Sequence, residues 1–508
     1  MARKQREQLQ VQEKQHEINP NNKRKKEEKK KINKLDWLKL KVFGSKKAPK
    51  STQQTIPYIQ MLQDGICQTE ENKYNKVIAF NDINYQLANR DDQNLIFEKY
   101  CEFLNFFDAS ITVQLLFVNR YGNPIDYEAS IKIPGQGDGY DDVRKEYEEM
   151  LRNQLTKGNN GLIKYKYIVF GIETKKPKEA KTRLERMQND ILNNFKQMGV
   201  MAYPLSGTER LEALHGQMHV DGREKFHMDW KDITEGGMNT KDFIAPTSFD
   251  FGNARNMGVG NQYVSTGFLN ITAPNMSDKL LSDYLNLDVP LTITIHFNAL
   301  EQQEAIRMVK RKLTSINALK VEEQKKANRA GYDMDIMSAD IMQFSKETEE
   351  FLNELQSNNE RMFIMTFLIQ NTAPSKQKLD DYVFTSSGIA QKYNCTLKRL
   401  DYQQEQAYIS TLALGMNQIQ IKRTITTSSI AIFVPFTTCE LFMKGQSLYY
   451  GLNALSNNLI MADRKELKNP KGLYNQGRFC VGEIISGERS ILPLFAAYSD
   501  RAGMASVP

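Results

Sequence analysis

The sequence predicts an α+β fold: a ferredoxin-like αβ sandwich followed by a second αβ subdomain with long helices. Three observations lead there. Apolar runs of strand length alternate with stretches whose apolar residues recur every three or four positions. The early strands are near neighbours in sequence, which favours a compact sandwich over a doubly wound parallel sheet. Two helical patterns then stand back to back, at 300–330 and 340–356.

The elements follow in order. Residues 75–87, NKVIAFNDINYQL, read as a strand running into a turn. Residues 91–107 start at Asp91 or Asp92 and carry Phe97, Tyr100, Leu104 and Phe107 at helical spacing. A strand at 110–118, a helix at 140–155 and a strand at 164–173 come next. Residues 177–198 form a long helix with Pro177 in its first turn, and 199–205 close the unit. A stretch dense in Gly, Asn, Asp and Ser occupies 216–262. The second region opens with a strand at 291–299 and a helix at 300–330 striped by Ile306, Val309, Leu313 and Ile316. A helix at 340–356, a strand at 361–369, a helix at 375–393 and a strand at 395–400 complete it. The helix pair between two strands is a candidate contact surface; packing against the sheet is the plainer alternative.

Composition sets outer limits. A chain of 508 residues, 40% apolar and 25% charged, is of ordinary globular make-up and long enough for two or three domains. It holds no run of apolar residues long enough to span a membrane, and its N-terminus lacks the apolar core of a signal peptide. Cys67, Cys101, Cys395, Cys439 and Cys480 are scattered and odd in number, which reads as reduced thiols in a cytoplasmic protein. The net charge of +7 is uneven: residues 1–50 hold 17 Lys and Arg against 6 Asp and Glu, the remainder 51 against 55. Residues 1–50 are therefore expected to be a disordered basic tail, with weak attraction for nucleic acid or a membrane surface. Its segment LDWLKLKVF, 35–43, mixes Trp37 and aliphatic residues with Lys39 and Lys41, as an interfacial or protein-docking segment does.

Few residues promise chemistry. His215 and His219 stand four apart, as in zinc proteases, but Gly216 occupies the place of the glutamate and no third ligand is evident, so no metal is expected. His296 lies in a strand and reads as a hydrogen-bonded core histidine. PGQGDGYDD at 134–142 and FGNARNMGVGNQY at 251–263 read as turns, the first opening a helix. Gly472 and Gly477 are spaced like the glycines of a P-loop, but Arg478 and Phe479 stand where Lys and Ser or Thr belong. The chain contains no Gly-Lys-Ser or Gly-Lys-Thr, so nothing is placed to grip the β- and γ-phosphates or magnesium.

Several segments together resemble the conjugative-transfer ATPases of type IV secretion systems, of the TrbE/CagE type. They are STQQTIPYIQMLQDGIC (51–67), FLNFFDASITVQL (103–115), LRNQLTKGNNGLIKYKYIVFGIE (151–173), EEQKKANRAGYDMDI (322–336), TTSSIAIFVPFTT (426–438) and LYYGLNALSNNLIMADRKELKNPKG (448–472). The resemblance covers the chain to about Gly472. It implies the N-terminal region of such an ATPase, docking on the secretion apparatus at the inner face of the membrane and partnered by apparatus proteins or full-length homologues. In that family a RecA-like motor using ATP and Mg follows, its P-loop starting just after a segment like NPKG.

The resemblance and the residues together divide the chain into a tail (1–50), a first αβ domain (51–215), a loop-rich connector (216–262), a second αβ domain (263–425), a strand-rich lead-in to the motor (426–472) and a last stretch (473–508). That stretch fails where the P-loop should begin. Codons compatible with residues 477–486, read one base later, encode Gly-Asp-Ser-Ala-Ser-Gly-Lys-Ser-Phe, a complete P-loop. The expectation is a truncated or frameshifted product, with the motor absent, 473–508 poorly ordered, no cofactor, and Gly472, Gly477 and Arg478 as a degenerate remnant. Two other functions stay open: an ATPase with a degenerate P-loop, and a nucleic-acid-binding protein acting through its basic tail.

Overall fold

The computed structural model describes residues 51–436, apart from 84, 86–87, 122–134, 136, 138, 158–161, 273–275, 331–338 and 358–359, and the segments 448–452 and 459–462. The expectations for 1–50 and 473–508 lie outside the described residues. The described residues up to Thr55 fall in one unit and those from Ile56 onward in another. Within the first, Thr52–Thr55 make a single helical turn, α1.

In the second unit the chain is α+β and follows one plan twice. The first pass runs β1 (Gln60–Met61), β2 (Cys67–Glu70), β3 (Lys73–Phe80), α2 (Arg90–Phe106), β4 (Ile111–Tyr121), α3 (Asp141–Lys157), β5 (Leu162–Glu173), α4 (Pro177–Gln197), β6 (Ala202–Pro204) and α5 (Gly207–Met218). A short helix α6 (Trp230–Thr234) and a 3-10 turn (Thr240–Phe243) lead on. The second pass runs β7 (Phe249–Asp250), β8 (Met257–Val259), β9 (Gln262–Ile271), α7 (Lys279–Leu285), β10 (Leu291–Ala299), α8 (Gln302–Ala330), α9 (Ala339–Ser357), β11 (Met362–Ala373), α10 (Lys376–Lys392), β12 (Cys395–Arg399) and α11 (Gln404–Thr411). β13 (Arg423–Thr426), α12 (Thr427–Ala431) and a separate ribbon of β14 (Leu448–Leu452) and β15 (Leu459–Ala462) follow.

All strands but β14 and β15 join one 13-stranded sheet, and its pairings are antiparallel. β5 lies between β3 and β4, and β3 shares its other edge between β2 and β6. The second pass repeats this: β11 lies between β9 and β10, and β9 shares its other edge between β8 and β12. The halves meet where β4 pairs with β10, from Asn119 opposite Leu291 to Val113 opposite Phe297. The strands expected in 51–215 and in 263–425 thus lie side by side in one sheet, and β7 and β8 bring part of the loop-rich stretch to its edge.

Local chemistry explains the element ends. Asn89 caps α2 by accepting from the Asp92 N–H at 2.8 Å, so the helix starts one residue before Asp91. Ser206 and Glu209 form a reciprocal capping box at α5. Gly199, at φ 79°, ends α4: its N–H reaches Lys196 O and the next N–H reaches Phe195 O.

The sheet is covered on both faces, so successive residues of its central strands are buried, Thr294 and His296 of β10 included. On one face Ile78, Leu115, Phe117, Ile168, Phe170, Ile293, Ile295 and Phe297 pack with residues of α2, α4, α7 and α10 in a core continuous across both halves. On the other, Val77, Leu116, Val118 and Val169 pack with Leu211 and Leu214 of α5 and Tyr408 of α11.

The chain after α11 crosses this second face as an irregular buried segment, and its peptide groups need partners there. Polar side chains from both halves supply them. Arg210, fully buried, donates to Gly65 O at 2.9 Å, Asn75 O at 3.0 Å and Ala413 O at 3.2 Å. Gln114 donates to Leu412 O at 2.9 Å and accepts from Gly415 N–H at 2.8 Å. Gln217 donates to Thr411 O at 3.0 Å and accepts from Ala413 N–H at 2.9 Å, while Asn75 donates to Leu414 O at 2.6 Å.

Candidate interaction surface

α8 and α9 enter between β10 and β11, which already pair directly, so the sheet closes without them. With 29 residues α8 is about 43 Å long. Among the described residues its root is held in a core: Ala305 and Val309 of α8 and Leu355 of α9 pack with Met362, helped by Leu300, Phe351 and Leu352. Gln302 Nε2 donates to Leu355 O at 2.5 Å, which fixes the two helices as an antiparallel hairpin. Of the expected stripe only Val309 is buried; Ile306, Leu313 and Ile316 are half-buried.

Farther out the apolar residues face solvent. Leu319 is 54% exposed, Val321 48% and, on α9, Phe344 59%. The two helices also differ in charge. α8 carries eight Lys and Arg against three Glu, whereas α9 carries one Lys against five Asp and Glu. A pair of helices of opposite net charge with exposed apolar side chains has the make-up of a protein-binding surface: apolar groups supply area, charge supplies orientation. At the root lies a cleft of about 780 Å³ bearing Glu102, Asp108, Glu301, Glu360 and Arg361.

The residues singled out in the sequence fall as follows. Gly472, Gly477, Arg478 and Phe479 lie outside the described residues. Gly137 N–H donates to Asp141 Oδ2 at 3.2 Å, so the glycine-rich turn before α3 is already supplied with an anion by its own chain. Gly260, at φ 55°, turns β8 into β9. His296 is buried with Nε2 at 2.7 Å from Ser410 O, and burial pulls its pKa down to about 4. His215 and His219 share one end of α5 with ring centroids 4.0 Å apart, and Glu224 joins them. Burial, then the neighbouring His219 and Arg120, pull His215 down to about 3. The third donor had no sequence signal beyond an acidic residue five places on; a loop brings it back.

Cys67, Cys101 and Cys395 are free thiols, and burial pushes each thiol upward. None of the three is poised as a nucleophile. Among the described residues no helix is long and apolar enough to cross a membrane. No family model matches the chain, and no curated protein matches it.

Proposed function

We propose that the described residues are the N-terminal docking region of a type IV secretion or conjugation ATPase, which binds apparatus proteins and does not itself turn over nucleotide. The observation that carries the reading is the α8–α9 hairpin, which leaves Leu319, Val321 and Phe344 exposed on two helices of opposite net charge. The resemblance of segments spread from 51 to 472 supports the family, and a sequence without Gly-Lys-Ser or Gly-Lys-Thr supports the lack of turnover. The strand orders β6-β3-β5-β4 and β12-β9-β11-β10, with helices between the outer strand pairs, support two ferredoxin-like units side by side. Such a region works in the cytoplasm at the inner face of the membrane, with residues 1–50 adding weak attraction to lipid or nucleic acid.

Co-purification with the inner-membrane proteins of a conjugation apparatus tests this. The wild-type chain is expected to retain apparatus protein, and a Leu319→Glu, Phe344→Glu variant to lose at least about tenfold of it, since central apolar anchors dominate interfaces. Equal retention by both sinks the hairpin's role. ATP hydrolysis by the purified chain would favour the degenerate-ATPase reading, and salt-dependent DNA binding lost with residues 1–50 would favour the nucleic-acid one.

A further inference from the structure

We infer that His215, His219 and Glu224 form a binding site for one divalent transition-metal ion, of which zinc is the fitting member. The site is independent of the docking reading.

One ligand atom from each residue lies within 4.8 Å of the others. His219 closes α5, its N–H donating to His215 O at 2.8 Å. Its Nδ1 also lies 3.0 Å from that carbonyl oxygen, so Nδ1 carries the hydrogen and donates. In the neutral ring this leaves Nε2 a bare acceptor, the tautomer that ligates metals. Yet Nε2 faces Glu224 Oε2 at 3.2 Å, one acceptor against another. Something positive belongs between them. For metal–ligand bonds of about 2.0–2.1 Å, neighbouring ligands of a tetrahedral zinc lie about 3.3 Å apart, close to the observed spacing.

His215 adds the second observation. It is 4% exposed, and its ring lies nearly parallel to that of His219, 17° apart, so a turn of the side chain brings its lone pair onto the shared ion. The loop is shaped for convergence: Gly222 N–H donates to His219 O at 3.1 Å, and Gly222 sits at φ 65°, turning the chain so that Glu224 returns. Glu224 is 64% exposed, so the fourth position faces solvent and takes water.

An opposing charge beside His215 is Arg120. Its guanidinium crowds Gly216, where a Cβ would lie 2.3 Å from Arg120 Cζ, and stacks over Tyr165 at 4.7 Å. That charge weakens a dication site without Glu224, which makes the carboxylate the decisive ligand. Two imidazoles and a carboxylate suit zinc over magnesium or calcium, which prefer all-oxygen sets.

The test uses the full chain without a polyhistidine tag, loaded with zinc chloride, dialysed and assayed for metal, with affinity read by competition against a chromogenic chelator. One zinc per chain is expected. His219→Ala, at a side chain 10% exposed, and Glu224→Gln, at one 64% exposed, are each expected to weaken binding at least about tenfold, while His227→Ala, at an exposed histidine, leaves it unchanged. Cobalt in place of zinc is expected to give the visible absorption of a tetrahedral site, lost in His219→Ala. A wild-type chain that holds no zinc, because a proton alone bridges His219 and Glu224, overturns the inference. So does zinc binding that survives both substitutions.

Discussion

Arg210 shows how one side chain fixes a path for the backbone. It reaches three carbonyl groups, Gly65 and Asn75 in the first half and Ala413 beyond the second. Arg210→Leu leaves these buried acceptors short of a donor, and a loss of about 3 kcal/mol or more is expected in urea unfolding. Gln217→Ala, removing one donor and one acceptor for the same segment, is expected to cost about 1–3 kcal/mol. His296 gives a pH signature. Burial holds its folded-state pKa at about 4, below the ordinary histidine value of about 6.5, so the unfolded chain binds the extra proton between these values. The neutral ring's contribution is complete above about pH 6.5 and falls as pH drops towards 4, with a slope of up to about 1.4 kcal/mol per pH unit. Unfolding curves across that window, for the wild type and His296→Gln, measure it; the variant is expected to lose the slope. His296 was legible as a core histidine because its strand is apolar on both sides. Arg210 was not: nothing near it in sequence announces carbonyls from residues 65 and 413.

Elements with strong periodicity were legible almost to their ends. Pro177 and the stripe Leu184, Met187, Ile191 and Phe195 define α4, alternation of apolar and polar residues defines β10, and apolar-rich runs define β5 and β11. β7 and β8, of two and three residues, are too short to show alternation and vanished into a loop-rich stretch. The strand expected over 75–87 ends at Phe80, where the chain leaves the sheet and Lys166 of β5 pairs with Asp82. The hairpin was legible as two helices, but how far it projects depends on where its core ends. Val309→Asp, at the buried root, is therefore expected to destabilise the protein by several kcal/mol, about 3 or more. Leu319→Glu, far from that core, is expected to shift stability by no more than about 0.5 kcal/mol. Thermal melts of the two variants separate root from surface.

For the molecule, the decisive feature is the joint between β4 and β10, and it was not legible. Each strand reads as a strand with one strongly apolar face, and nothing local in either specifies the other as partner. Two αβ regions were visible as patterns; their union in one sheet is written in long-range pairing alone. Since the core runs across the joint, unfolding is expected as one cooperative transition, and Ile295→Asp is expected to disrupt both halves together. Calorimetry showing two separate transitions would contradict this. The docking reading rests on the same architecture, a sheet that completes itself and offers a helical hairpin outward. Site-specific photo-crosslinking in cells carrying a conjugation apparatus tests it most directly, from Leu319 and Phe344 on the hairpin and from Tyr402, 87% exposed elsewhere, as control. Adducts to apparatus proteins from the two hairpin positions and none from Tyr402 are the predicted result. Adducts equal at all three positions, or absent from the hairpin, would contradict it.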